Sequence, residues 1–168
     1  MLRRALLLCP VAALALTGCG GSDHDDLASC LVGTWDGNPS EMEPELARLL
    51  SEDGSVSLTV SGSQVQTFQA DGTYHLAVDI AIDLASDGPG GDVFEQGTAE
   101  GAWTVEGDRL TLTYTSTAIT LWSAAGSVAS TMRDGTYRVT CSATTLTSTV
   151  PDDTPGSSRT VSYTSQRR

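Results

Sequence analysis

Thiols are the most reactive side chains in this sequence, and four are present: Cys9, Cys19, Cys30 and Cys141. Other catalytic material is sparse. The pattern G-x-S-x-G is absent, and the histidines are His24 and His75. His75 shares a predicted strand face with Asp79, a pair able to orient an imidazole, but no nucleophile is identifiable for them to serve. They are read as surface residues. One histidine and two cysteines in the folded part supply too few ligands for zinc. Asp87 and Asp92 flank the run Gly88-Pro89-Gly90-Gly91, but their spacing matches no calcium loop and reads as a plain turn. His24 lies among Asp23, Asp25 and Asp26 on a segment without fixed geometry, so it is read as part of a solvated spacer. Among 21 acidic residues no pair stands out for glycosidic chemistry. No catalytic residue, metal or cofactor is assigned, and a non-enzymatic protein is expected.

The chain begins Met1-Leu2-Arg3-Arg4, continues as an apolar stretch from Ala5 to Leu16, and reaches Leu16-Thr17-Gly18-Cys19. A basic start, an apolar centre and small residues at the end make an export signal. About a dozen apolar residues fall short of the roughly 20 that cross a bilayer as a helix. The last four residues resemble the lipobox of bacterial lipoproteins. That resemblance implies diacylglycerol on the Cys19 sulfur, cleavage in front of Cys19, and acylation of the new amino group by a fatty acid such as palmitate. Residues 1–18 are then the signal peptide, 19–27 a lipidated flexible tether, and 28–168 the folded domain. The expected location is the extracytoplasmic side of the cell membrane or envelope, where two or three acyl chains hold stably and one would be marginal.

Cys9 leaves with the signal and Cys19 carries lipid, so Cys30 and Cys141 remain. In an oxidising exterior they are expected to form a disulfide. Export also removes Arg3 and Arg4, leaving seven arginines, no lysine and all 21 acidic residues, a formal charge near −14. Such a surface repels nucleic acid and anionic headgroups and attracts a basic partner.

The elements that position these groups are mostly strands, because Thr, Ser, Val and Gly abound and no long apolar run follows the leader. One segment reads as a helix. Ser40-Glu41-Met42-Glu43 has the capping-box pattern, and Met42, Leu46, Leu49 and Leu50 form an apolar stripe, predicting a short helix that ends near Ser51 to Gly54. The clearest strand alternates Tyr74, Leu76, Val78, Ile80, Ile82 and Leu84 against polar neighbours. Before it, Val56 to Val60 and Val65 to Phe68 read as two strands joined at Ser61-Gly62 by a tight hairpin. After it come Trp103 to Val105, Leu110 to Tyr114, Ile119 to Leu121, Val128 to Met132, Tyr137 to Cys141, Leu146 to Val150 and, beyond a Pro151 to Gly156 loop, Val161 to Tyr163. Strands so joined predict a mainly β fold, an antiparallel up-and-down barrel of about 8–10 strands with one short α-helix after strand 1.

Gly33-Thr34-Trp35 at the start of the first strand resembles the G-x-W signature of lipocalins and the wider calycin superfamily, where the tryptophan plugs one end of the barrel. Asp71-Gly72-Thr73-Tyr74, Gly101-Ala102-Trp103 and Gly107-Asp108-Arg109-Leu110 resemble lipocalin-like bacterial lipoproteins. The resemblance covers most of the chain beyond the leader, although no T-D-Y motif is present and the helix follows strand one directly. It implies an arginine stacked on Trp35, for which Arg138 and Arg159 are the candidates. In that frame a Cys30–Cys141 bond pins the entering chain to the barrel wall.

Two functions from different classes follow. In one, the barrel carries a small hydrophobic ligand lined by Trp35, Tyr74, Trp103 and Tyr114; the competing reading is that these aromatics fill the core, as in many small barrels. In the other, the acidic exterior docks on a basic envelope protein, as an inhibitor or accessory factor would.

Overall fold

The computed structural model describes residues 23–50, 56–85, 91–151 and 160–168. The expected signal peptide, Cys19, the helix end at 51–54, Asp87 and Arg159 lie outside them.

Chain order is α1 (Asp23–Leu31), β1 (Gly33–Gly37), a 3₁₀ turn (Pro39–Met42), α2 (Glu43–Leu50), β2 (Ser57–Phe68), β3 (Thr73–Ala85), β4 (Val93–Glu106), β5 (Arg109–Ser123), β6 (Gly126–Ser130), β7 (Gly135–Cys141), β8 (Thr145–Pro151) and β9 (Thr160–Arg167). Every strand pairing is antiparallel, and β9 returns to pair with β1 through Trp35↔Arg167 and Gly37↔Ser165. β6 and β7 both lie along β5, β6 against Ile119–Ser123 and β7 against Arg109–Leu112, so together they occupy one place in the wall. The result is a closed eight-stranded antiparallel barrel, the predicted fold class.

Three departures from simple alternation shape its interior. The expected hairpin at Ser61-Gly62 does not form: β2 runs unbroken, and Gly62 pairs with Ile80 in mid-strand. Glycine is needed there for a bend rather than a turn, because φ is +110° and a Cβ would lie 2.0 Å from the Asp79 carbonyl oxygen. In β5, Glu100 pairs with Ser116 and Gly101 with Tyr114, leaving Thr115 as a bulge whose hydroxyl donates to the Glu100 carbonyl. The extra residue switches the inward parity from Leu110, Leu112 and Tyr114 to Ile119, so two predicted strands are one. Between β6 and β7 pairing stops over Thr131–Asp134, and the Asp134 carboxylate accepts the free Tyr114 N–H at 2.8 Å.

The helical segments also differ from expectation. Asp23–Leu31 is helical where a tether through residue 27 was expected. Leu27, Ala28 and Leu31 recur on one side of this helix and pack on the core, and such burial, more than propensity, stabilises a short helix. The second helical segment is capped by Asn38, with Pro39 following, instead of by Ser40; the Asn38 side chain accepts from the Ser40 N–H and hydroxyl. Glu43 is thereby freed from a capping box. Because β1 is only five residues long, β2 and β9 diverge beyond it, and the 3₁₀ turn bridges the gap. Glu43 accepts the Val60 N–H at 2.8 Å and Glu41 the Thr164 N–H at 2.6 Å. Of the predicted apolar stripe, Met42 and Leu46 pack on the core and Leu50 stays exposed.

Candidate functional site

The barrel has two unlike ends. At the first, Trp35 is fully buried and its indole N–H donates to the Leu31 carbonyl at 2.8 Å. Arg167 stacks over its ring, with the guanidinium carbon 4.3 Å from the ring centroid. That guanidinium also donates to the carbonyls of Val32, at 3.0 Å, and Cys30. Three carbonyls at the end of α1 thus find donors, and a positive charge faces the negative end of the helix dipole. Gly33 leaves the room required, since a Cβ there would lie 2.7 Å from the guanidinium. Cys30 and Cys141 are joined by a disulfide with Cα atoms 6.1 Å apart, tying α1 to β7.

The arginine on Trp35 is therefore neither expected candidate. Arg138 points outward to Asp108 at 3.0 Å, and Arg159 is outside the described residues. Alternation carried a usable signal: Val161, Tyr163, Ser165 and Arg167 fall on one face of the last strand, whereas Arg138 alternates with the inward residues Tyr137 and Val139.

From this plug a chain of aromatic contacts leads inward. Trp103 meets Phe68 edge-on at 5.6 Å, Phe68 meets Tyr74 at 5.1 Å, and Tyr74 meets Tyr114 at 5.9 Å. Beyond Tyr74 the packing opens into a cavity of about 170 Å³, partly open to solvent. Of the four expected lining residues, Tyr74 and Tyr114 line it, while Trp35 and Trp103 lie outside it in the packed end. Trp103 donates its indole N–H to the Gln69 carbonyl at 3.0 Å, which fixes it in the wall.

The remaining lining was not legible as a site. Tyr137 and Tyr163 complete the set, so all four tyrosines of the chain face one space. Met42 from the 3₁₀ turn and Met132 from the break between β6 and β7 join them, and these are the only methionines after Met1. Gln64, Gln66 and two serines add polar groups, and the lining holds no charged side chain. Tyr74 is anchored through its hydroxyl, which donates to the Gln66 side-chain oxygen at 3.2 Å. Tyr137 leans along its own strand over Gly135, where a Cβ would lie 2.9 Å from its hydroxyl.

Burial pushes all four phenols up. Tyr74 rises well above the ordinary tyrosine range, first through desolvation and then through neighbouring Tyr114. Tyr114 is pushed up to about 12, by desolvation and then by Tyr137. Tyr137 and Tyr163 rise for the same leading reason. Each folded phenol holds its proton above the unfolded value near 10, so this contribution to stability is complete below roughly pH 10 and is lost as pH rises through the folded values. In an alkaline titration followed at the phenolate band, the phenols are expected to ionise above roughly pH 10 and together with unfolding. Four phenols ionising at their ordinary value with the fold intact would contradict the assigned burial.

His75 and Asp79 sit on the outer face of β3, away from the cavity, and no group of three metal-ligating side chains occurs among the described residues. No described helix is long and apolar enough to cross a membrane. No protein-family model and no curated protein matches this chain.

Proposed function

We propose that this protein is a lipid-anchored, extracytoplasmic binding module of lipocalin-like build, non-enzymatic, whose barrel interior takes one small ligand. The observation carrying the reading is the convergence of every tyrosine, and of both methionines beyond Met1, on a single cavity.

Size narrows the ligand. An apolar cavity of about 150 Å³ takes a molecule the size of benzene, whereas drug-sized pockets begin at roughly 300 Å³. A space of about 170 Å³ suits a ligand of a few heavy atoms and excludes a full acyl chain. The proposed lipid is the anchor on Cys19, and the cargo is something else. Since α1 enters at the plugged end, an anchor on the preceding residues places that end toward the membrane and leaves the 3₁₀-turn end facing away.

Intact and native mass spectrometry of the full chain recovered from a membrane fraction tests both halves. The expected denatured mass is a chain starting at Cys19 with acyl groups attached. The expected native spectrum adds a small non-covalent ligand. An unprocessed, unacylated chain would overturn the anchor, and failure to retain any small molecule from extracts or added libraries would overturn the binding role.

Acidic docking on a basic envelope protein is the second reading, supported by the formal charge near −14 of the chain after residue 18. It predicts binding that weakens steeply with salt.

A further inference from the structure

The lining of the cavity says which charge it accepts. Tyr, Met and Gln bring electron-rich rings, thioether sulfurs and amide oxygens to this lining beside Leu76, Leu110 and Leu112, with no cationic side chain among them. An anion entering this space would find no counter-charge.

A second observation concerns the rim. Asp134 supports the wall at Tyr114 and Glu41 supports it at Thr164, beside Tyr163, each by accepting a backbone N–H. Neither carboxylate is in a salt bridge among the described residues. Two negative charges therefore stand next to lining residues without an ion-pair partner among the described residues, on a chain whose net charge is already −12 with its leader. A hard metal ion is poorly served, because calcium needs 6–8 oxygen ligands at close range and no cluster of ligating acids lies among the described residues.

We infer that the cavity is a cage for a small organic monocation of the quaternary-ammonium class, about the size of choline. A quaternary ammonium is weakly hydrated, carries no N–H needing an acceptor, and spreads its charge over methyl groups that pack against ring faces and sulfur. The acidic exterior raises its local concentration and steers it in. This inference rests on the cavity being a binding site and adds the chemical class of what enters.

The discriminating pair is choline and dimethylbutanol, its neutral isostere with carbon in place of the quaternary nitrogen. Titrated calorimetrically into the full chain, choline is expected to bind at least about fivefold more tightly than the isostere, the cation–π share of a partly enclosed site. Tyr137→Phe keeps the ring face and is expected to hold choline affinity within about threefold, whereas Tyr137→Leu loses about tenfold. Equal or tighter binding of the isostere overturns the cation preference while leaving the binding role intact. Binding of neither, with another small molecule retained in the native spectrum, overturns this inference alone. Binding of neither, with nothing retained, removes both.

Discussion

Replacing Arg167 by alanine is expected to lower stability by about 2–4 kcal/mol, which is large for a single substitution in the last strand of the barrel. Its guanidinium makes three interactions at once: it stacks on Trp35 and donates to the carbonyls of Cys30 and Val32. Hydrogen bonds to a charged donor contribute about 1.5–3 kcal/mol each when the acceptor is otherwise left without a partner. A cation over a tryptophan adds about 0.5–2 kcal/mol. Part of this is offset, because the Arg167 Nε is itself buried without a partner among the described residues and its removal relieves that cost. Lysine is expected to rescue little, since a point charge cannot address two carbonyls and a ring face together. Denaturant unfolding reads the effect as a lower midpoint at unchanged slope. A midpoint unchanged in Arg167→Ala would mean that the barrel end is sealed without it.

The second large effect is expected from Cys30→Ser with Cys141→Ser. The bond closes a loop with a sequence separation of 111. On the chain-entropy argument a loop of about 100 residues is worth about 4.7 kcal/mol. Native disulfides in small secreted domains are worth about 2–5 kcal/mol, so a loss of about 3–5 kcal/mol is expected, or a fall of roughly 10–15 °C in Tm. The barrel wall should survive, because its strands pair around the full circle without α1. Hydrogen exchange should loosen first in α1, whose link to β7 is the bond itself. A loss under about 1 kcal/mol would place the stabilisation elsewhere, in the packing of Leu31 and Trp35.

These two changes act at the end where the sequence was most legible. Gly33 and Trp35 marked the plug, two cysteines left after Cys9 and Cys19 marked the disulfide, and the long alternation of β3 marked a wall with one wet face. Gly62 was misread because glycine beside serine suits a hairpin as well as a mid-strand bend, and only the close approach of β3 tells them apart. The Thr115 bulge was hidden for a related reason: a one-residue slip of parity looks like the end of one strand and the start of another.

The cavity was harder to read than the fold. Period-two alternation reports which residues point inward, and Tyr137 and Tyr163 did so, but it does not report whether the inward space is filled. Met132 sits where pairing lapses, and Met42 sits on a turn that exists because β1 stops early. Both depend on irregularities that no local pattern announces. The bulk of Trp35 and Trp103 made them attractive as lining, yet that bulk is what lets them close one end.

The most direct test of the cavity uses the two methionines that border it. With methyl-labelled methionine, Met42 and Met132 give two signals apart from Met1. A choline titration is predicted to shift both signals together and saturably, with one dissociation constant, because two distant parts of the chain touch the same bound molecule. Signals that stay fixed under saturating choline and under every small molecule recovered with the protein would contradict a ligand site between them.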